Sequence, residues 1–88
     1  MNTYLVRINI QAGEYQKIVT TLVDAKTQQE AGKLALENEC HADIGEPDSA
    51  GTFWHEGGIV DLSWEFYYTL KSIKQIQPEY VEVFREYL

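Results

Sequence analysis

Residues 3–23 read TYLVRINIQAGEYQKIVTTLV, and they consist of two strand-like runs separated by the short segment 12–14. Apolar residues occupy every second position of the first run: Tyr4, Val6, Ile8 and Ile10. This period of two predicts a strand with one buried face. The second run, residues 15–23, is rich in β-branched residues, which favour strands. A short Gly-containing segment between two such runs favours a hairpin, so we expect an antiparallel strand pair here.

The residues after this pair predict a helix. Thr27 and Glu30 have the spacing of a capping box, in which the hydroxyl accepts a free backbone N–H and the Glu reaches back. A narrow face suited to lie on a sheet is formed by Ala31, Leu34, Ala35 and Asn38. Leu36 falls off that stripe, and Gly32 weakens the helix by about 1 kcal/mol relative to Ala. We expect the helix to end near Cys40.

The second half begins with a region of loops. Residues 41–58 contain four of the six glycines and one of the two prolines, with a short strand predicted over 52–56 and a tight turn at 57–58. Residues 59–73 predict the longest strand, in which Trp64, Phe66, Tyr68 and Leu70 form an apolar face. Pro78 opens a closing helix, and its predicted core-facing stripe is Tyr80, Val83, Phe84, Tyr87 and Leu88.

These elements predict one α+β domain spanning residues 1–88. We expect an antiparallel sheet of three to four strands, in the order β-β-α-β-β-α, packed against one central and one C-terminal helix. With 88 residues, 44 % of them hydrophobic, the chain has material for one core and none for a second. Its single cysteine forms no internal disulfide, which favours a reducing, cytoplasmic setting. No apolar run is long enough to span a membrane or to resemble a signal peptide.

The charge of the chain is unevenly distributed. The formal net charge is −7, and no Lys or Arg occurs between Lys33 and Lys71. That window contains eight carboxylates: Glu37, Glu39, Asp43, Glu46, Asp48, Glu56, Asp61 and Glu65. Such a surface attracts a basic partner and disfavours direct binding of nucleic acid, which requires clustered cations. The alternative is an acidic surface that serves only solubility.

Catalysis and metal binding are both disfavoured. Cys40 and His41 are neighbours at a helix end, where the negative end of the dipole makes a thiol less reactive, so we expect a small, partly buried core thiol. The four residues His41, Asp43, His55 and Glu56 do not match a recognised metal-ligand spacing. The glycines of the loop do not form a phosphate-binding motif. We therefore expect no enzyme activity, no catalytic residue, no cofactor and no metal.

Aromatic residues beside these acids point instead to a protein interface. Trp and Tyr are enriched in interface hot spots, and Trp54 lies in a Gly-flanked acidic stretch, either as an exposed anchor or as a lid over a thin core. In such an interface, carboxylates would take the place of phosphates on the basic surface of the partner, and aromatic side chains would form the centre from which water is excluded. The predicted partner-binding residues are Glu39, Asp43, Glu46, Asp48, Trp54, Glu56, Asp61, Glu65 and Tyr67.

The layout resembles that of small phage-encoded anti-CRISPR proteins that inhibit type I systems. The resemblance covers about the first 40 residues: an opening strand at Met1–Val6, a second strand ending in Val23-Asp24-Ala25 and a capped helix at Thr27–Leu36. It implies a non-catalytic inhibitor that binds a basic groove of a Cas subunit in the host cytoplasm. Because the family label covers unrelated folds, no site residue is transferred by motif.

Two other classes of function also fit the sequence. One is a general regulatory module, either antitoxin-like or an inhibitor of a polymerase or nuclease. The other is a small structural subunit that self-associates, so the predicted oligomeric state is monomer or dimer.

Overall fold

The structure is a computed structural model that describes residues 1–88. It contains five strands, two α-helices and one 3₁₀ turn. In chain order the elements are β1 (Asn2–Ala12), β2 (Tyr15–Ala25), α1 (Gln28–Glu39), β3 (Phe53–His55), β4 (Gly58–Asp61), β5 (Phe66–Ile76), the 3₁₀ turn (Pro78–Tyr80) and α2 (Val81–Tyr87). The predicted α+β class is confirmed, whereas the predicted strand count and element order are wrong.

The five strands form one antiparallel sheet in the order β2-β1-β5-β4-β3. The β1–β2 hairpin agrees with the prediction, with Asn2 opposite Ala25 and Ala12 opposite Tyr15. Helix α1 contacts β1, β2, β4 and β5 on one face of the sheet, which we call the helix face. We call the other side the open face. The short strands β3 and β4 lie at the edge farthest from β2.

The main core lies between α1 and the helix face. Its fully buried side chains include Val6, Ile8, Leu36, Ile59 and Tyr68. The alternation predicted for the first strand is confirmed, since Tyr4, Val6 and Ile8 are all buried while Arg7 is exposed. Burying large aliphatic and aromatic side chains contributes about 2 kcal/mol each, so this layer is the main source of stability in a domain of this size.

Helix α1 begins where the sequence predicts, with one of the two hydrogen bonds of the predicted capping box; the Glu30 side chain does not bond back to the Thr27 N–H. Thr27 is the N-cap, and its side-chain oxygen accepts a hydrogen bond from the Glu30 backbone N–H at 3.1 Å. The predicted packing face is wrong in part, because Leu36 is buried and Asn38 is exposed. The buried face of α1 is formed by Ala31, Gly32, Ala35 and Leu36, so Gly32 belongs to it. A Cβ at Gly32 would lie 2.8 Å from Leu70 Cδ1, so the missing side chain lets the helix approach β5 closely.

The predicted long strand over 59–73 is interrupted. Residues 62–65 form a turn between β4 and β5, in which Leu62, Ser63 and Trp64 all have positive φ. Backbone hydrogen bonds hold the turn, from Ser63 N–H to Gly51 O and from Glu65 N–H to Leu62 O. The segment contains neither Gly nor Pro, so the sequence does not signal this turn. Trp64 consequently lies outside the apolar strand face to which its spacing assigned it.

The C-terminal helix is also unlike the prediction. No residue of the 3₁₀ turn or of α2 is buried, and Tyr80, Val83, Tyr87 and Leu88 are all more than half exposed. Phe84 shares a shallow surface pocket with Leu5 and Ile76 on the open face, and Arg85 pairs with Asp24 at 3.2 Å. The stripe therefore does not face the core. Neither helix combines the length and apolarity that crossing a lipid bilayer requires.

Candidate functional site

The Lys/Arg-free window of the sequence occupies one side of the molecule. It contains the end of α1, the loop of residues 40–52, the β3–β4 hairpin and the turn of residues 62–65, which meet at the sheet edge opposite β2. We call this region, residues 37–65, the acidic end. Its carboxylates are exposed or partly exposed with one exception, Asp61, whose side chain is fully buried.

Asp61 is the centre of a buried hydrogen-bond network. Oδ1 accepts from the Thr52 hydroxyl at 2.6 Å, and Oδ2 accepts from the Tyr68 hydroxyl at 2.8 Å. Oδ2 also accepts from the His41 backbone N–H at 2.9 Å and lies 3.0 Å from His41 Nδ1. Because an ionised carboxylate only accepts, Nδ1 carries the proton in this arrangement. The network joins both ends of the loop to β4 and β5.

Hydrogen bonds control the ionisation of this group. Burial alone would raise the pKa of Asp61, but the donors from Thr52, His41 and Tyr68 outweigh it and lower the pKa from 3.8 to about 2. Burial and the adjacent Asp61 carboxylate raise the pKa of Tyr68, which therefore stays a hydrogen-bond donor. No buried polar side-chain atom lacks a partner. Asp61 is thus a charged, fully satisfied anchor of the acidic end.

The loop of residues 40–52 is also attached through its backbone. Gly45 N–H donates to Thr52 O at 2.7 Å, and Asp48 N–H donates to Trp54 O at 3.1 Å. The Ser49 hydroxyl donates to Glu46 O at 2.5 Å within the loop. These bonds hold the loop against β3, so the exposed carboxylates that it carries have defined positions.

A cluster of aromatic rings covers the open face at the acidic end. The Trp64 ring lies 5.2 Å from His55, 5.9 Å from Tyr67 and 6.2 Å from Phe53 between ring centroids. Phe53 is buried, whereas Trp64 remains 57 % exposed. The Tyr67 hydroxyl donates to His55 O at 3.3 Å, which fixes that ring. Trp64 is therefore a large apolar side chain held at the surface by its neighbours.

Two carboxylates flank this cluster. Asp48 Oδ1 lies 2.5 Å from His55 Nδ1, and Glu56 Oε2 lies 3.7 Å from His55 Nε2. Both carboxylates are mainly exposed, whereas His55 is about three-quarters buried. We call Asp48, His55, Glu56, Trp64 and Tyr67 the Trp64 patch. It combines an exposed indole, a tyrosine and two surface carboxylates within direct contact of one histidine.

The two aromatics selected from the sequence lie on opposite faces of the sheet. Trp54 is opposite Ile59, which is opposite Tyr68 on the helix face, whereas Tyr67 is opposite Val60 on the open face. Trp54 is half-buried against the core and lines an open surface groove of about 480 Å³ with Lys33 and Leu70. A cation therefore borders Trp54, although none is near it in the sequence. The two side chains do not form one binding surface.

The predicted acidic residues lie in several parts of the acidic end, and all but Asp61 are exposed or partly exposed. Asp48 and Glu56 belong to the Trp64 patch, and Glu65 follows Trp64 in the same exposed turn. Asp43 and Glu46 are exposed in the loop, and Glu39 ends α1. Asp61 is a correction to the predicted surface set. With no exposed area it does not contact a partner, and its role is the internal network.

No family model, curated protein or solved structure matches this chain.

The two histidines belong to separate clusters, one at Asp61 and one at Asp48. No group of three or more His, Cys, Asp or Glu side chains comes together in a way that could hold a metal ion. The residues considered from the sequence as a mixed ligand set, His41, Asp43, His55 and Glu56, are not brought together. The His41 side chain is 61 % exposed, and the ring lies 5.4 Å from Phe66.

The thiol of Cys40 is directed into the protein. It donates to Leu36 O at 3.4 Å and is partly buried. Burial, together with the negative charges of Asp61 and Glu37, raises its pKa from 9.0 to about 11. The thiolate is the reactive form of cysteine, so this environment suppresses nucleophilic chemistry at Cys40.

We expect Cys40 to react slowly with thiol reagents in the folded protein. A pKa of about 11 instead of 9.0 lowers the thiolate fraction roughly 100-fold at mildly alkaline pH. The measurement is the rate of alkylation by iodoacetamide, followed by mass spectrometry, with the urea-unfolded chain as control. Equal rates in the two states would contradict the assigned environment.

Proposed function

We propose that this chain is a non-catalytic, cytoplasmic binding protein that inhibits a partner by occupying its basic, nucleic-acid-handling surface. The observation that carries the proposal is the Trp64 patch, in which a 57 % exposed indole is flanked by the carboxylates of Asp48 and Glu56. Tryptophan and tyrosine dominate interface hot spots, and surrounding polar groups exclude water from them.

The charge of the acidic end supports a basic partner. Five of its carboxylates are exposed, namely Asp43, Glu46, Asp48, Glu56 and Glu65, and no cation interrupts them in the sequence. A surface of one sign accelerates encounter with a surface of the other sign and repels nucleic acid itself. A protein groove that normally binds phosphates has the matching charge, so carboxylates would take the place of phosphates there.

Rigidity supports binding in the same region. The Asp61 network and the backbone bonds of Gly45 and Asp48 fix the loop before any partner arrives. A surface that is ordered in advance loses less conformational entropy on binding. Buried, fully satisfied polar networks of this kind hold a defined geometry, here that of the exposed side chains around them.

The specific partner that we propose is a Cas subunit of a type I surveillance complex. This step rests on the resemblance of the first 40 residues to small anti-CRISPR proteins, combined with the acidic end. An antitoxin-like module, or an inhibitor of a polymerase or nuclease, would bind a different basic protein through the same carboxylates and aromatic side chains. The identity of the captured protein distinguishes these alternatives.

Reversing charge at the acidic end is expected to weaken binding strongly. The variant Asp43→Lys, Glu46→Lys, Asp48→Lys should weaken partner binding by at least tenfold, because three attractive contacts become repulsive. The matched control is Glu14→Lys, Glu82→Lys, Glu86→Lys, which makes the same change in net charge at exposed positions outside the acidic end. Target-DNA binding by a panel of type I complexes, with and without each variant, is the measurement.

Removal of the Trp64 indole tests the contribution of the Trp64 patch without changing the net charge. Trp64→Ala should weaken binding by about 2 kcal/mol, or roughly thirtyfold, while leaving the salt dependence unchanged. Tyr87→Ala removes an aromatic that is 79 % exposed on α2 and serves as control.

If the wild-type protein leaves DNA binding by every complex in the panel intact, the Cas assignment is wrong. The broader proposal is tested by a pull-down of the partner from a host lysate. A partner that is still captured at high salt and by the Asp43→Lys, Glu46→Lys, Asp48→Lys variant would overturn it.

A further inference from the structure

The sheet has three open edges, and two of them are protected against pairing. At one end β3 is only three residues long. Strand β5 pairs with β4 only over Phe66–Tyr68, so the rest of that side of β5 is open. A register shift in the β1–β5 pairing makes this part of β5 irregular, and Lys71 and Lys74 are exposed there. Short strands, irregularities and lysines are the devices by which proteins prevent edge-to-edge association.

The third edge, β2, is long and regular. It pairs with β1 over all eleven residues without a register shift, and no backbone hydrogen bond joins its outer side to another element. The two-residue turn of the hairpin makes Ala12–Tyr15 a hydrogen-bonded pair, so odd-numbered residues of β2 bond to β1. The N–H and C=O groups of the even-numbered residues, from Gln16 to Asp24, therefore point to the open edge.

The side chains of β2 are self-complementary in one antiparallel register. With Thr20 opposite Thr20 of a second copy, Ile18 lies opposite Leu22, and Val19 lies opposite Thr21. Ile18 and Leu22 both project from the open face, because they are opposite Asn9 and Leu5 in β1. Ile18 is 37 % exposed, and Leu88, which is 58 % exposed, lines a shallow pocket beside β2 with Arg85, Leu22, Thr20 and Thr21. This register would bury the three apolar side chains together at two symmetric places.

Charge favours a second copy at this edge rather than elsewhere. Strand β2 carries one cation, Lys17, and one carboxylate, Asp24, which pairs with Arg85, so this edge lacks the negative excess of the rest of the chain. The acidic end lies at the opposite edge of the sheet, so pairing of two β2 strands about a twofold axis would place the two acidic ends as far apart as the sheet allows. For a chain of net charge −7, this arrangement minimises repulsion between copies.

We propose that two copies of this chain associate through antiparallel pairing of β2 with β2, centred on Thr20, to form a continuous ten-stranded sheet. The interface is isologous, as expected for a C2 dimer, and main-chain hydrogen bonds provide the attraction, as in other strand additions. The dimer goes beyond the proposed inhibitory function, because it leaves both Trp64 patches free and makes the assembly bivalent.

Cross-linking tests the register directly. In a Cys40→Ser background, Thr20→Cys should form an intermolecular disulfide under mild oxidation, since Cα atoms of a hydrogen-bonded antiparallel pair are about 5.5 Å apart. Gln16→Cys, on the same strand and face, would lie about 26 Å from its symmetry mate, given about 3.3 Å per residue, and should not cross-link. Equal cross-linking of the two variants would overturn the register.

Molar mass in solution tests the association itself. Sedimentation equilibrium of the wild-type protein should give twice the monomer mass, and Ile18→Lys should restore the monomer by placing a charge against Leu22 of the partner. Leu62→Lys, at a position of similar exposure on the opposite side of the sheet, should remain dimeric. A wild-type protein that stays monomeric up to several hundred micromolar would refute the proposal, as would a dimer that Ile18→Lys leaves intact.

Discussion

Replacing Asp61 with Asn is expected to lower the free energy of unfolding by about 3 kcal/mol, a large part of the roughly 5–10 kcal/mol available to a domain of this size. The carboxylate accepts hydrogen bonds from Thr52, His41 and Tyr68 in a fully buried position. An amide has one accepting oxygen, and its NH₂ group would face donors, so at least one buried hydroxyl or N–H loses its partner. Urea denaturation followed by tryptophan fluorescence measures the loss.

The matched control is Asp43→Asn, which makes the same chemical change at an exposed carboxylate of the same loop. We expect it to change stability by less than about 0.5 kcal/mol. An Asp61→Asn variant as stable as the control would show that the network does not hold the loop in solution.

The pH dependence of stability provides a second readout for the same group. The folded-state pKa of Asp61 is depressed from 3.8 to about 2, so its contribution is complete above pH 3.8 and disappears as the pH falls through about 2. The contribution amounts to about 2 kcal/mol. The difference in stability between the wild-type protein and Asp61→Asn should therefore shrink over this acidic range, and a difference that stays constant would contradict the assignment.

The Asp61 network links stability to the proposed binding surface. It connects His41, at the start of the loop, and Thr52, at its end, to β4 and β5. If Asp61 anchors the loop, the Gly45 and Asp48 amides of Asp61→Asn should exchange with solvent faster, while the Val6 and Ile8 amides in β1 change little. Asp61 thus has an indirect role at the site: its hydrogen bonds hold the loop that carries the exposed carboxylates.

Much of the first 40 residues was predictable because local rules decide it. Alternation in β1 and the Thr27 cap act between near neighbours in the chain and appear in the structure as the sequence indicates. The hairpin was also predicted, although its turn is the two residues 13–14 instead of the segment 12–14. The face on which α1 packs was not predictable from its own pattern, because Gly32, a poor helix former, lies on the buried face against Leu70, a residue 38 positions away.

The candidate site was predictable in location but not in composition. The Lys/Arg-free window marks the acidic end, yet it does not reveal that Asp61 is internal or that Trp64 is the exposed indole. Both depend on the turn of residues 62–65, whose positive φ values occur at Leu62, Ser63 and Trp64, without Gly or Asn. The sequence does not signal that turn, but it does mark Asp61, because an acid that follows Ile59 and Val60 inside a predicted strand requires hydrogen-bond donors if it is buried.

Gly58→Ala is expected to have an effect as large as that of Asp61→Asn, through sterics alone. A Cβ at position 58 would lie within van der Waals radii of the Tyr68 backbone oxygen and 3.0 Å from Thr69 Cγ2. A backbone carbonyl in a central strand does not move aside as a side-chain end does, so β4 must shift away from β5 or the hairpin must open. We expect a loss of about 3 kcal/mol in the free energy of unfolding, at the upper end of overpacking effects.

Gly45→Ala is the appropriate control for this change. Its added Cβ would meet Ser49 Oγ at 3.5 Å and Thr52 O at 3.6 Å, which are ordinary contacts, and the Gly45 N–H would still donate to Thr52 O. We expect its stability to stay within about 0.5 kcal/mol of wild type. Since the β3–β4 hairpin carries His55 at the end of β3 and Glu56 in its turn, and holds Trp64 through Phe53, Gly58→Ala should also weaken partner binding. Should Gly58→Ala denature at the same urea concentration as Gly45→Ala, the close approach of β4 to β5 does not exist in solution, and the geometry of the patch must be revised with it.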